Sequence, residues 1–181
     1  GLVHSEMPEQ ESGQMRGFQL WVNLPARDKM TAPKYQEFAP DRIPLAQPAP
    51  GVQVKVIAGQ VGDTVGPIVQ PATDPLYLDV QLDAGTAWDY VLPEGHNAFA
   101  YVFEGGLSIG EGDDARPVDR QEMAVLGGGE LLQLRAGAGG ARLILVAGRP
   151  LREPVMRHGP FVMNTKQELM QAFVDFQEGR F

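Results

Sequence analysis

His4 and Glu6 stand two positions apart in the opening stretch "GLVHSEMPEQ". On an extended strand alternate side chains share a face, so an imidazole nitrogen and a carboxylate oxygen would point the same way. Such a pair suits one divalent cation. Nitrogen and oxygen donors without thiolates fit Fe(II), Mn, Ni or Zn and do not choose among them. An exposed polar strand end is the competing reading, since two ligands alone make a weak site. The other histidines are less suited to chemistry. His96, in "PEGHNAF", lies at a turn entering a strand, where bonding to local backbone is expected. His158, in "MRHGPF", is expected at the surface or in a structural hydrogen bond. Trp21 shares its face with Gln19 and Asn23, and either lines a pocket or packs internally with its N–H satisfied.

Composition removes several kinds of chemistry. The 181 residues include no Cys, so disulfides, zinc–thiolate sites and a thiol nucleophile are excluded, as suits a reducing compartment. A net charge of −8 argues against direct nucleic-acid binding, whose affinity comes from basic residues releasing counterions, and leaves a protein partner open. The longest apolar run, "LILVA", is far too short for a bilayer span, and no basic leader precedes a hydrophobic stretch. A soluble, cytoplasmic protein without membrane attachment is expected. "LGGGE" and "AGAGG" fall between strand patterns, so neither is a phosphate loop.

The elements that must position these residues follow from periodicity. In "MRGFQLWVNL", Phe18, Leu20, Val22 and Leu24 alternate with Gln19, Trp21 and Asn23, which predicts a strand over 15–24, paired with a shorter one containing His4. Residues 25–50 carry six prolines and read as an extended linker anchored by Tyr35 and Phe38. Six short β patterns follow: "VQVKVIAG", "LYLDVQL", "TAWDYVL", "AFAYVFEG", "GELLQLRAG" and "ARLILVAG". Turn residues separate them, so residues 51–148 read as an all-β sandwich or small barrel. The tail, 149–181, begins as an extended crossing segment and ends in a helix. Thr165 and Glu168 form a capping box, Leu169, Phe173 and Phe176 an apolar stripe, and Gly179 a left-handed stop.

Four stretches together resemble the pirin family: "GLVHSEMP", "GFQLWVNLPARDKMTAPKYQ", "LPEGHNAFAYVFEG" and "GRPLREPVMRHGPFVMNTKQELMQAFVDFQEGRF". They run from one end of the chain to the other in the family's order. The resemblance implies a bicupin, two jelly-roll β-barrels in tandem followed by a helix. It makes residues 1–24 the end of a metal-binding first cupin, 25–50 the linker, 51–148 a metal-free second cupin, and 149–181 the tail. In the family three histidines and a glutamate hold the metal, usually iron. His4 and Glu6 match two of them, and the remaining H-x-H pair is expected upstream of Gly1. The second cupin has "HNA" where a ligand pair would stand, with no glutamate at a matching position.

Two functions are implied by the resemblance. One is a metal-dependent dioxygenase that opens flavonols such as quercetin, with Glu6 as ligand and general base and Gln19 and Trp21 lining the pocket of a small aromatic substrate. The other is a metal-containing regulatory protein that binds a protein partner. The chain by itself is expected to hold no metal and to be inactive, with open strand edges that seek the missing cupin half or a second copy of the chain.

Overall fold

The computed structural model describes residues 2–5, 12–13 and 15–180. They fall into two compact units: Glu37–Pro150, and Gly1–Gln36 together with Leu151–Phe181. Among the described residues the regular structure is β apart from one C-terminal α-helix and three short 3-10 turns, a mostly β fold as expected.

In Glu37–Pro150 apolar residues recur at every second position, which turns one face of each strand inward. The strands are β1 (Leu45–Ala46), β2 (Val52–Ala58), β3 (Gln60–Val61), β4 (Thr64–Val65) and β5 (Leu76–Leu82). They continue with β6 (Ala87–Val91), β7 (Asn97–Ile109), β8 (Arg116–Val118), β9 (Met123–Val125) and β10 (Leu131–Gly148). Eight of them make one antiparallel sheet in the order β1-β2-β5-β10-β7-β8, with β6 on β10 and β9 on β7. β3 and β4 form a separate small hairpin. Val54, Val56, Leu78, Val80, Ala100, Val102, Leu143 and Leu145 supply a core with no measurable exposure. Each aliphatic side chain buried this way contributes about 1.5–3 kcal/mol.

"GELLQLRAG" and "ARLILVAG" are not two strands. They are halves of β10, which runs unbroken through "AGAGG" and pairs in its first part with β6 and in its second with β5. β7 follows it along both parts, with a register shift between Ala136 and Ala141. Glycines that read as a turn are here a bulge that bends the strand while keeping it in the sheet. Gly105 of β7 faces this bulge with φ +69°, and a Cβ on it would collide with the carbonyl oxygen of Gly140.

The strand expected over 15–24 does not form, and residues 2–5 are irregular as well. A strand exists only against a hydrogen-bonded neighbour, and no described residue supplies one. Tyr35 is 75% exposed and anchors nothing, whereas Phe38 is half-buried. The expected linker also donates β1 to the sheet, where Ala46 enters the core.

In the second unit, β11 (Met156–His158) and β12 (Phe161–Met163) form a hairpin where an extended segment was expected. The turn passes through Gly159 at φ +53°. Helix α1 (Lys166–Gln177) opens with the expected capping box, Thr165 Oγ1 accepting from Glu168 N and the Glu168 carboxylate from Thr165 N. At its end Arg180 N donates to Asp175 O and Gly179 N to Phe176 O, with Gly179 at φ +68°. That is the expected left-handed stop. Phe161 meets Phe173 edge-on at 4.9 Å and Phe176 at 5.9 Å, while Leu169 and Ala172 are buried.

Gly105→Ala is expected to cost more than about 1 kcal/mol, since both its φ and its Cβ position are forbidden to alanine. Gly127→Ala, where nothing lies within 4 Å, should be nearly neutral. Urea midpoints of the two variants against the parent check this.

Candidate functional site

His4 lies in an irregular stretch with its side chain at the surface, and Glu6 falls outside the described residues. Gln19 and Trp21 are both exposed, Trp21 to 65%, so neither lines a closed pocket. Among the described residues no three His, Asp or Glu side chains converge as a metal donor set. The described residues by themselves do not supply a complete donor set.

What the chain does build is a polar network around residues 23–29. Pro25 is fully buried and is followed by a short 3-10 turn, Ala26–Asp28. Lys29 Nζ donates to Asn23 Oδ1 at 2.8 Å and to Val162 O at 3.1 Å, which fixes this loop to β12. Burial lowers the Lys29 pKa, and the carboxylates of Glu153 and Glu168 oppose that shift. Glu153 Oε2 accepts from Ala26 N at 2.7 Å and from Asn164 Nδ2 at 3.0 Å. Asn164 N in turn donates to Glu168. One charged network thus ties residues 23–29 to the hairpin and to the start of α1. Neither Lys29 nor Glu153 was singled out in the sequence. Lys29 reaches Val162 and Glu153 reaches Ala26, each more than a hundred residues away, and no local period marks a charge with so distant a contact.

His96 behaves as a turn histidine should. Its side chain is only 3% exposed, with Nδ1 3.2 Å from Glu94 O and Nε2 2.9 Å from Asp74 O. Each contact is a hydrogen bond when that nitrogen carries the proton. The following inward positions of β7 are Ala98, Ala100 and Val102, all in the aliphatic core. His158 is exposed, and its ring meets Phe173 at 5.5 Å.

Comparison with known proteins gives these features a family. Residues 77–181 match the model of the pirin C-terminal cupin domain. A pirin-like protein of Caulobacter vibrioides is 52% identical over the whole chain, which spans 64% of that protein. Human pirin is 40% identical over 99% of the chain, which spans 61% of it. Less than two thirds of either relative is therefore represented. Among solved structures, a quercetin 2,3-dioxygenase from Acinetobacter baumannii superposes with a TM-score of 0.81 at 34% identity, over 89% of this chain and 55% of its own.

Lys29→Met is expected to destabilise the second unit by about 1–3 kcal/mol, because two acceptors lose a charged donor. Faster proteolysis within residues 23–31 would report it, and an unchanged cleavage rate would contradict it. The capping box gives a second test. The Thr165 side chain, helped by the Thr165 and Asn164 backbone amides, lowers the Glu168 pKa. Its contribution is therefore complete above the ordinary glutamate range and is lost as pH falls through the lowered value. Helix content followed by circular dichroism should show that acid loss, and Glu168→Gln should remove the pH dependence.

Proposed function

Since this chain belongs to the pirin family, we propose that a protein joining it to the remaining third of a pirin is a metal-dependent dioxygenase acting on flavonols such as quercetin. The observation that carries this reading is the likeness to the Acinetobacter baumannii quercetin 2,3-dioxygenase, which extends over 89% of the chain. The fold is a cupin jelly roll, and two candidate donors, His4 and Glu6, lie at the amino end. In this proposal they are two ligands of a site completed by an H-x-H pair on polypeptide outside the chain. An imidazole, a carboxylate and further imidazoles form the nitrogen and oxygen set that suits non-haem Fe(II), with Mn, Ni or Zn as other occupants. The metal would supply a site for dioxygen and for the ionised substrate hydroxyl. Gln19 and Trp21 are assigned to the rim of that site, where their exposure leaves them open to a partner surface or an aromatic substrate.

A regulatory protein with a bound metal is the second reading. It is the other function that the resemblance to the pirin family implies. The surplus of acidic residues suits a protein partner better than a nucleic acid.

The two readings separate in one experiment. The chain alone and a version extended upstream through the H-x-H pair are compared for bound metal and for quercetin consumption. The extended protein should hold close to one metal per chain and consume quercetin, while the chain alone should do neither. Glu6→Ala in the extended protein should lower metal content and turnover together, turnover by at least about a hundredfold. Full metal loading without quercetin consumption would favour the regulatory reading. Normal values for both in Glu6→Ala would remove Glu6 from the site.

A further inference from the structure

We propose that the groove beside the β3–β4 hairpin of Glu37–Pro150 binds a small organic carboxylate with an apolar body. This site does not depend on the oxygenase reading. The groove encloses about 590 Å³, within the roughly 300–1,000 Å³ usual for small-molecule clefts. Ile68, Pro71, Leu76 and Pro93 line it, and Val65 and Val69 stand 60% and 69% exposed along it. Two β-branched side chains left open beside a lined cleft give an apolar body a place to be sheltered from water.

The walls are held in advance. Gln70 Oε1 accepts from Ala72 N at 2.6 Å and from Thr73 N at 3.1 Å, while Asp74 N donates to Gln70 O at 2.9 Å. The Tyr90 hydroxyl donates to Gln60 O at 2.8 Å, and burial pushes its pKa up to about 12, so it stays a neutral donor. Gly59 and Gly66 bring the hairpin close to β5 and β2: a Cβ would stand 2.6 Å from Leu76 Cδ1 at the first and 2.7 Å from the Ile57 carbonyl at the second. Two costs are also stored in this loop. Asp74 adopts φ +45°, and Thr73 Oγ1 is buried without a hydrogen-bond partner among the described residues. Local strain and orphaned polar atoms concentrate where a structure is shaped for binding.

The sign of the ligand comes from Arg149, the sole cation among the described lining residues. Its Nη2 contacts Asp74 Oδ2 at 3.3 Å, with both side chains more than half exposed. Such a pair is weakly held, so an arriving carboxylate can recruit the guanidinium, whose planar fork matches it. The same Oδ2 stands 3.7 Å from His96 Nε2, whose backbone partner Asp74 O is closer, at 2.9 Å. A cationic ligand, in contrast, would have to compete with Arg149 for Asp74, the one acidic residue among the described lining residues.

The test is an amide chemical-shift titration of the ¹⁵N-labelled full chain with benzoate, benzyl alcohol and benzylamine as probes. Benzoate should produce saturable shifts at Val65, Val69 and Gln70 in the millimolar range, with the two uncharged or cationic probes at least about tenfold weaker. Arg149→Gln should weaken benzoate about tenfold. Val69→Asp, a surface change that puts a negative charge on the wall, should abolish its binding. The unshifted remainder of the spectrum reports that each variant is folded. Benzoate shifts absent from the groove, benzylamine binding as tightly as benzoate, or unchanged benzoate affinity in Arg149→Gln would each overturn the proposal.

Discussion

Strand β10 hydrogen-bonds to three other strands, and the bend that allows this depends on backbone packed against backbone at Gly105 and Gly140. A flat strand could follow β5 or β6, but not both along its length. The bulge turns the chain by adding unpaired residues on one side only, and any side chain at the crossing would push β7 off it. β5, β6 and β7 all take their register from this strand. Leu143 and Leu145 meet the core beside Leu78 and Val80 from β5 and Val102 and Ala100 from β7. Residues Leu143–Ala147 are buried on both faces, which explains why this stretch is continuously apolar instead of alternating.

The other unit is held differently. Among its described residues the buried apolar side chains are few, chiefly Leu169, Ala172 and Pro25. Lys29, Glu153 and Asn164 compensate by joining three separate segments through charged hydrogen bonds. Such bonds are directional, so they fix one arrangement of the loop before β1 where packing alone would tolerate several. Desolvation of the ammonium opposes this arrangement, and the carboxylates of Glu153 and Glu168 offset part of that cost. The same Glu168 caps the helix and accepts from Asn164, whose side chain shares the Glu153 carboxylate with Ala26 N, so the helix start and residues 23–29 are joined.

Legibility in the sequence followed the strength of local signals. β2 and β5 show strict alternation over seven residues, and the capping box is a four-residue pattern with one geometry, so these were readable. The hairpins β3–β4 and β11–β12 are made of two- and three-residue strands, too short to display a period. The glycines of "AGAGG" misled because a turn and a bulge ask for the same backbone freedom. Residues 15–24 misled in the opposite sense: alternation reports which side chains could share a face, while strand formation also needs a partner ladder. The spacing of His4 and Glu6 was plain, yet spacing alone does not fix where His4 points once its segment has no ladder.

The β unit also explains why its own barrel is an unpromising place for metal chemistry. A donor set must project from inward positions, and those of β7 are Ala98, Ala100 and Val102, packed against leucines and valines from β2, β5 and β10. Placing imidazoles or carboxylates there would bury polar groups among aliphatics and overfill a dense core. His96 escapes that conflict because it precedes the strand and finds carbonyl oxygens at the turn, including one from the loop that carries Asp74. The histidine therefore joins two loops at the rim and does not face the interior. With the centre filled by aliphatic side chains, open space lies at the edge of the unit, as in the groove lined by Asp74 and Arg149.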